Sequence, residues 1–458
     1  MTPRFDLISG LLIKILLRFA LPMAVLVLQS TAALAVTVSL ADPEQQLQFV
    51  GVLSPGQTNA EAVLIPLQHP VKVANRLIVV AKKKLTVEDF PAEHKARLNS
   101  LELLHEYRDR FIYIARVDTL LHALDLNELL LQHPSVFYSQ PDLLPLRARS
   151  NDRRDIQNVL HFNAENFSVG EYLSLGSVWK KTKGRGIRVA VIDMGVSLYH
   201  PSLQKVKVHH HWDVDIDVVG ATPEYHQTHG NKVVGVIWAQ PQLVHDLADL
   251  TPGSAWGIAP EAELIALRLQ RPWTSNLLKA FIRSEQQGAD VINISWLIPW
   301  VAAPVRDYLR YLTTDANQKK GIVIVASASP VSEPNVGLAA MPELLVVTST
   351  DHRDVLANCS WDEHVDIAAA SYLLTVSQLP DRDYEMFAKT SSSAAVVSGW
   401  VALLRSARPD LTAAQLQSLL IETGIRPTQI MPGNQSFDYV VLDAQESYER
   451  LFKLKKSK

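Results

Sequence analysis

Lys389-Thr390-Ser391-Ser392-Ser393-Ala394-Ala395 opens a stretch in which Val396, Val397, Trp400, Val401, Leu403 and Leu404 recur at helical spacing. A serine at a helix N-terminus sits beside free backbone N–H groups and the positive end of the helix dipole. That position suits either a helix cap or a nucleophile whose oxyanion needs stabilising. Two upstream islands bear on the choice. Ile187-Arg188-Val189-Ala190-Val191-Ile192-Asp193-Met194-Gly195-Val196 is an apolar strand that ends on a carboxylate followed by glycine. Gln227-Thr228-His229-Gly230 puts a histidine at the mouth of a helix whose Val233, Val234 and Ile237 share one apolar face. The order Asp193, His229, Ser391 is one of three chain orders in which an Asp-His-Ser hydrolase triad occurs, and it goes with an α/β fold.

Around these islands, strands alternate with helices. Ile187 to Ile192, Leu264 to Leu267, Val291 to Ile294, Ile322 to Ala326 and Leu344 to Ser349 read as strands. Lys232 to Ala239, Leu277 to Gln287, Tyr308 to Asn317 and Ala394 to Ala407 read as helices. Such alternation predicts an α/β fold with a mostly parallel sheet flanked by helices, its active groups on loops at the carboxyl ends of strands. Upstream, residues 36–74 are polar and without clear period and read as a linker. Residues 75–146 read as a small α+β unit: a strand at Arg76 to Ala81, an amphipathic helix at Ala92 to Tyr107, a strand at Arg110 to Val117, a helix at Asp125 to Gln132 and a strand at Ser135 to Tyr138. Arg147, Arg149, Arg153 and Arg154 lie in a charged boundary segment, 147–178, ahead of the main domain at 179–451 and a basic tail at 452–458.

With 458 residues, 47% hydrophobic and 20% charged, the chain has room for two or three domains and a large core. A net charge of −3, from 44 basic and 47 acidic residues, supplies no global field for nucleic acid. The single cysteine, Cys359, excludes an intramolecular disulfide framework and Cys-based zinc sites, and it sits in a polar bend away from any histidine-rich motif. His200, His209, His210, His211 and His226 read as loop and strand residues rather than metal ligands. The N-terminus has a basic region (Arg4, Lys14, Arg18), an apolar run from Phe19 to Leu28 and the small-x-small site Ala33-Leu34-Ala35. Residues 1–35 are therefore expected to be an export signal, with an uncleaved membrane anchor as the alternative. Either makes the rest of the chain secreted, periplasmic or held at the outer face of a membrane.

Taken together, the three islands resemble the subtilisin-like serine proteases (subtilases, peptidase family S8). Ala190-Val191-Ile192-Asp193-x-Gly195-Val196 with His200-Pro201 is similar to the family's aspartate motif. His229-Gly230-x-x-Val233-x-Gly235 is similar to its histidine motif, and Thr390-Ser391-x-Ser393-Ala394 with Val397-Ser398-Gly399 to its serine motif. The connecting segments Gly257 to Leu264, Gln286 to Ser295 and Arg408 to Gln415 resemble family signatures, so the likeness runs from about Trp179 to Leu451. It implies a three-layer subtilisin-like fold, a polypeptide substrate and the triad Asp193, His229 and Ser391. Ser295, Trp296 and Leu297 stand at the substrate-pocket wall. Residues 75–146 resemble the family's ferredoxin-like prodomain, an intramolecular inhibitor, with Gln132-His133-Pro134-Ser135-Val136 and Gln140-Pro141-Asp142 similar to its closing segment. The arginines after it then read as a processing site or as a plain solvated linker. A monomer is expected. Family members often bind calcium, yet no acidic loop here matches a calcium motif; Asp213, Asp215 and Asp217 read as surface strand residues, and no metal ligand is assigned.

The chain departs from the family pattern around the same centre. At the oxyanion position Ser329-Pro330 replaces Gly-Asn, and proline carries no donor. Removing one such donor in this family costs about 10²–10³ in turnover, about 2.7–4 kcal/mol. Met194 follows the aspartate in place of a hydroxyl residue, Lys232 replaces a second histidine, Lys389 replaces the glycine before Thr390-Ser391, and Ala395 replaces a proline. Two functions stay open: an exported zymogen of a serine endopeptidase, or a protease-fold binding or chaperone protein with little or no turnover.

Overall fold

The computed structural model describes residues 34–40, 47–54, 56–67, 69–146, 172–224, 227–240, 256–329, 334–351, 354–356, 361–377, 384–430 and 436–454. Helices of eight residues or more are numbered below. The larger unit is built on a sheet with strands in the order β10-β9-β11-β8-β12-β13-β14-β15. Its members are β8 (Arg188–Asp193), β9 (Lys207–Asp213), β10 (Val218–Val219), β11 (Glu263–Arg268), β12 (Val291–Ile294), β13 (Val323–Ser327), β14 (Leu345–Thr350) and β15 (Ile367–Ala370). All neighbours run parallel except the β9–β10 hairpin.

Side chains alternate across a strand, so a sheet covered on both faces needs apolar residues at every position. Here they divide between two cores. Ala190, Ile192, Ile265, Leu267, Ile292, Ile294, Ile324 and Ala326 enter one core, with residues of α3 (Thr274–Gln286) and α4 (Ala303–Thr314). Val189, Val191, Leu264, Ala266, Val291, Val323 and Val325 enter the other. That second core is closed by α2 (His229–Trp238), α5 (Lys389–Ala407), α6 (Ala413–Thr423) and α7 (Ala444–Leu451). Helix α5 is buried almost throughout, and its Trp400 donates to Ser447 Oγ of α7 at 3.0 Å. Every strand foreseen in this unit is present within one residue, and the four helices are present, each starting three to five residues earlier than foreseen.

The N-terminal unit differs from expectation. Residues 36–74 are not a loop-like linker: β1 (Leu34–Ser39), β2 (Gln48–Leu53), β3 (Asn59–Ile65) and the start of β4 (His69–Ala81) lie there. In β3 the burial alternates, with Ala60, Ala62 and Leu64 inside and Glu61 and Val63 outside. Nor is Ala92 to Tyr107 a helix; only Ala92–Lys95 makes a helical turn, and Leu98–Tyr107 is strand β5. It pairs with β6 (Arg110–Val117) through the tight turn Arg108-Asp109, where Arg108 has φ +48°. Leu98, Leu101 and Leu104 mimic helical spacing, and tertiary pairing overrides the modest preference of a Leu- and Glu-rich segment for helix. With β7 (Val136–Pro145), which pairs with β4, the unit is a seven-stranded antiparallel sheet carrying one long helix, α1 (Leu120–Gln132).

This sheet docks on α3 and α4, continuing the first core through Leu77, Ile112, Ile114 and Leu143. Asp142, fully buried, receives the N–H of Ser275 at 3.0 Å and its hydroxyl at 2.6 Å in the first turn of α3, and also pairs with Arg76. Thr274 Oγ1 donates to the Leu143 carbonyl at 3.3 Å. On α4, Asp307 accepts from Tyr107 Oη at 2.7 Å and pairs with Arg110. Glu285 gathers His105 at 3.0 Å and the hydroxyls of Tyr308 and Tyr311 at 2.5 Å each. Burial opposes its ionisation, but these hydrogen bonds outweigh burial and hold the carboxyl below the usual range.

Candidate active site

Three elements converge at the carboxyl end of the parallel sheet. Asp193 is the last residue of β8, its side chain 1% exposed. His229 begins α2, and its Nδ1 lies 2.9 Å from Asp193 Oδ2 and 3.0 Å from Oδ1. Asp193 Oδ1 also accepts the Met194 N–H at 2.7 Å. A carboxylate buried this way fixes the ring's orientation and favours a proton on Nδ1, leaving Nε2 as the acceptor. The close approach depends on glycine: a Cβ on Gly230 would stand 2.2 Å from the Gly195 carbonyl oxygen, and Gly195 itself has φ +117°. Asn231, fully buried, ties α2 to the loop after β8 by accepting the Ser197 N–H at 2.8 Å and donating to the Ser197 carbonyl at 2.6 Å.

Ser391 is the third residue of α5, entered through Lys389 in a left-handed conformation, φ +69°. L-residues disfavour that conformation, which accounts physically for the glycine expected there. The single hydroxyl proton of Ser391 goes to the Ser295 carbonyl at 2.7 Å. Ser295 Oγ approaches the Ser391 carbonyl at 3.1 Å and Asn293 Oδ1 at 3.0 Å, and Asn293 Nδ2 donates to Ser398 Oγ at 2.9 Å. The end of β12 is thus stitched to the first turns of α5. Trp296 sends its indole N–H to the Ile192 carbonyl at 2.8 Å, bridging the segment after β12 to the end of β8; Leu297 beside it is partly buried. Ser329 is buried and its N–H donates to Asn335 Oδ1 at 2.7 Å. Pro330, Cys359, His226 and Arg147 to Arg154 lie outside the described residues.

Sequence reasoning missed several neighbours. Phe387, in β17 (Tyr384–Phe387), packs edge-on against the His229 ring at 5.4 Å and 84°. β17 pairs antiparallel with β16 (Leu373–Val376), and Glu385 on it pairs with Lys232. The apolar Phe387 four residues before Ser391 is the one available signal; Asn335 and Glu385 carry none. A correction also applies to the aspartates. Asp213 is buried against Arg268, and the Asp215 side chain is 2% exposed and accepts the N–H groups of Gln270 and Arg271, so both carboxylates are turned inward and satisfied structurally. Asp215 and Asp217 also lie beyond the end of β9. Among the described residues no group of three or more His, Cys, Asp or Glu side chains is placed to hold a metal ion.

The model of the family described as "Subtilase family" matches residues 184–443, more than half of the chain. The chain belongs to the subtilase family. Several of its relatives are named as serine proteases. Mycosin-4 of Mycobacterium tuberculosis is 28% identical over 302 residues, 55% of this chain and 63% of that protein. The thermophilic serine proteinase of Bacillus sp. AK1 is 29% identical over 236 residues, 50% of this chain and 54% of that protein. The chain thus spans between half and two thirds of the length of these curated relatives. Among solved structures, fervidolysin from Fervidobacterium pennivorans superposes with a TM-score of 0.60 over 82% of this chain and 61% of its own, at 17% identity, which shows the subtilisin-like fold. One further relative, 25% identical over 265 residues, is named a calcium-dependent protease of Trichormus variabilis. Among the described residues no helix is long and apolar enough to cross a membrane; residues 1–33 are outside them.

Proposed function

We propose that this subtilase is an exported serine endopeptidase made as a zymogen, with Asp193, His229 and Ser391 as its triad. The observation that carries the reading is the pair of 2.9 and 3.0 Å contacts between His229 Nδ1 and a buried Asp193. In the reaction, His229 Nε2 takes the proton of Ser391 as its Oγ attacks a peptide carbonyl. His229 then gives that proton to the leaving amine, and water attacks the acyl-enzyme by the same route. Asp193 orients the ring and stabilises the imidazolium. The oxyanion faces the Ser391 N–H and the positive end of α5; the Ser329-Pro330 segment supplies no asparagine donor. Losing about 2.7–4 kcal/mol from a rate enhancement of about 8–23 kcal/mol leaves an enzyme, though a slow one. Ser295, Trp296 and Leu297 form the substrate wall.

Before attack, the Ser391 hydroxyl must turn from Ser295 to His229. This exchanges one hydrogen bond for another between staggered rotamers and costs about 1 kcal/mol. The N-terminal unit ending at Leu146 acts as the inhibitor, residues 147–178 as the processing linker and residues 1–35 as export signal or anchor. A second reading, a binding or chaperone protein of protease fold, draws its support from that same Ser391 to Ser295 hydrogen bond and from Pro330. A fluorophosphonate probe separates the two. An adduct on Ser391 that is lost in Ser391→Ala and His229→Ala supports the enzyme; a chain that neither labels nor is cut between Leu146 and Trp179 overturns it.

A further inference from the structure

Lys232 stands one turn after His229, and residues three apart on a helix are neighbours, with Cβ atoms about 5–6 Å apart. The Lys232 ammonium is held 2.9 Å from Glu385 Oε2, with side-chain exposures of 20% and 13%. Glu385 Oε1 is buried with no hydrogen-bond partner. Directly opposite Glu385 in the hairpin ladder is Thr375, whose hydroxyl donates to the Lys232 carbonyl at 2.9 Å. Two residues beyond Glu385, on the same face of the strand, Phe387 meets the His229 ring, and four residues later comes Ser391. One short hairpin therefore touches the first turn of the histidine helix at three points and then becomes the serine helix.

We propose that the Lys232–Glu385 ion pair is a positioning device for His229, in which Glu385 both anchors the helix and cancels the charge of the lysine beside the base. The proposal rests on the reading of His229 as general base. A fixed cation one turn from an imidazole disfavours the imidazolium, which the reaction must form, and an adjacent anion favours it. The pair keeps both effects balanced. The ionisable groups on the elements packed against α2 are Arg188 and Asp193 at the two ends of β8, Lys232 on α2 itself, Glu385 and Tyr384 on β17, and Lys389 and Arg405 toward the two ends of α5. His200 precedes the short helix Pro201–Leu203. Of these, Lys232 and Glu385 form an ion pair with each other.

The test follows from the opposite signs. Lys232→Met leaves the Glu385 charge and raises the pKa of His229. Glu385→Gln leaves the Lys232 charge and lowers it. The double variant returns close to the starting value. A unit charge about 7 Å away at an effective dielectric of about 20–40 moves the pKa by roughly one to two units. The full chain, labelled with carbon-13 at histidine Cε1, is titrated by NMR, with the His229 resonance assigned by its loss in His229→Gln. Opposite shifts in the two single variants and their cancellation in the double variant are the expected result. Shifts of the same sign, or below about 0.2 units in folded single variants, overturn the proposal. If Lys232→Met fails to fold, Glu385→Gln and the double variant still carry the comparison. Because the titration needs no turnover, opposite shifts in a chain that never labels at Ser391 refute the protease reading while the pair's effect on His229 stands.

Discussion

Asp142 is the deepest charged anchor between the N-terminal sheet and the peptidase-like domain, so Asp142→Ala measures what holds the two together. Its carboxylate is fully buried and accepts the Ser275 N–H, the Ser275 hydroxyl and the Arg76 guanidinium, which is itself 21% exposed. The substitution leaves Arg76 without its carboxylate and the first turn of α3 without a cap. Breaking a buried pair from one side costs about 3–5 kcal/mol, because the stranded charge keeps its desolvation penalty. With an m-value of about 3 kcal/mol/M, the urea midpoint of the transition that releases the N-terminal sheet falls by about 1 M or more. The assay is urea unfolding read by tryptophan fluorescence, in parallel with limited proteolysis to report which unit opens first. Asp109→Ala, at a turn carboxylate that is 76% exposed, serves as control and shifts stability by less than about 0.5 kcal/mol. A loss below about 1 kcal/mol for Asp142→Ala would show that this buried carboxylate is not what holds the two together.

Lys389→Gly should exceed Lys389→Ala in stability by about 1 kcal/mol in thermal unfolding, since both remove the side chain and only glycine relieves φ +69°; equal stabilities refute strain at this position. Burial pushes the Asp366 carboxyl up to about 6 despite the N–H it accepts from Val346, so its ionisation weakens the fold at neutral pH and the penalty fades as the pH falls from about 6 to 4. Asp366→Asn, which keeps an acceptor for Val346, should therefore stabilise by on the order of 1–3 kcal/mol at pH 7 and by little at pH 4, as followed by calorimetry. Glu285 has the opposite sign. Its depressed pKa contributes stability that is present above the ordinary value of 4.5 and is lost as the pH falls further, so proteolytic release of the N-terminal sheet should accelerate below about pH 4. Glu285→Gln should flatten that acid dependence, and an unchanged profile would exclude Glu285 as its source.

The parallel sheet was legible because each strand, covered on both faces, is a short apolar run such as Val189 to Ile192 or Val323 to Ala326. Asp193 and His229 were legible because both sit at element boundaries marked by glycine. The N-terminal unit was harder. Its strands pair antiparallel, and β3 and β5 carry exposed residues, so their sequences carry weaker signals, and Leu98 to Tyr107 imitates a helical stripe until it meets β6. Other features have no local signal at all. The acceptor of the Ser391 proton is a backbone carbonyl, and Glu385 reaches Lys232 across more than 150 residues of chain. Asp213 and Asp215 looked like an exposed alternation, but their hydrogen bonds to Arg268 and to the segment Gln270-Arg271 draw them inside.

The most direct test of the proposed chemistry is mass spectrometry of the full chain after prolonged exposure to a fluorophosphonate, with the N-terminus of every chain fragment sequenced in the same sample. Nucleophilic attack by Ser391 predicts one adduct, on the peptide carrying Ser391, absent from Ser391→Ala and His229→Ala, together with a new N-terminus between Leu146 and Trp179. An unlabelled Ser391 in an uncut chain, or labelling that survives His229→Ala unchanged, would contradict it.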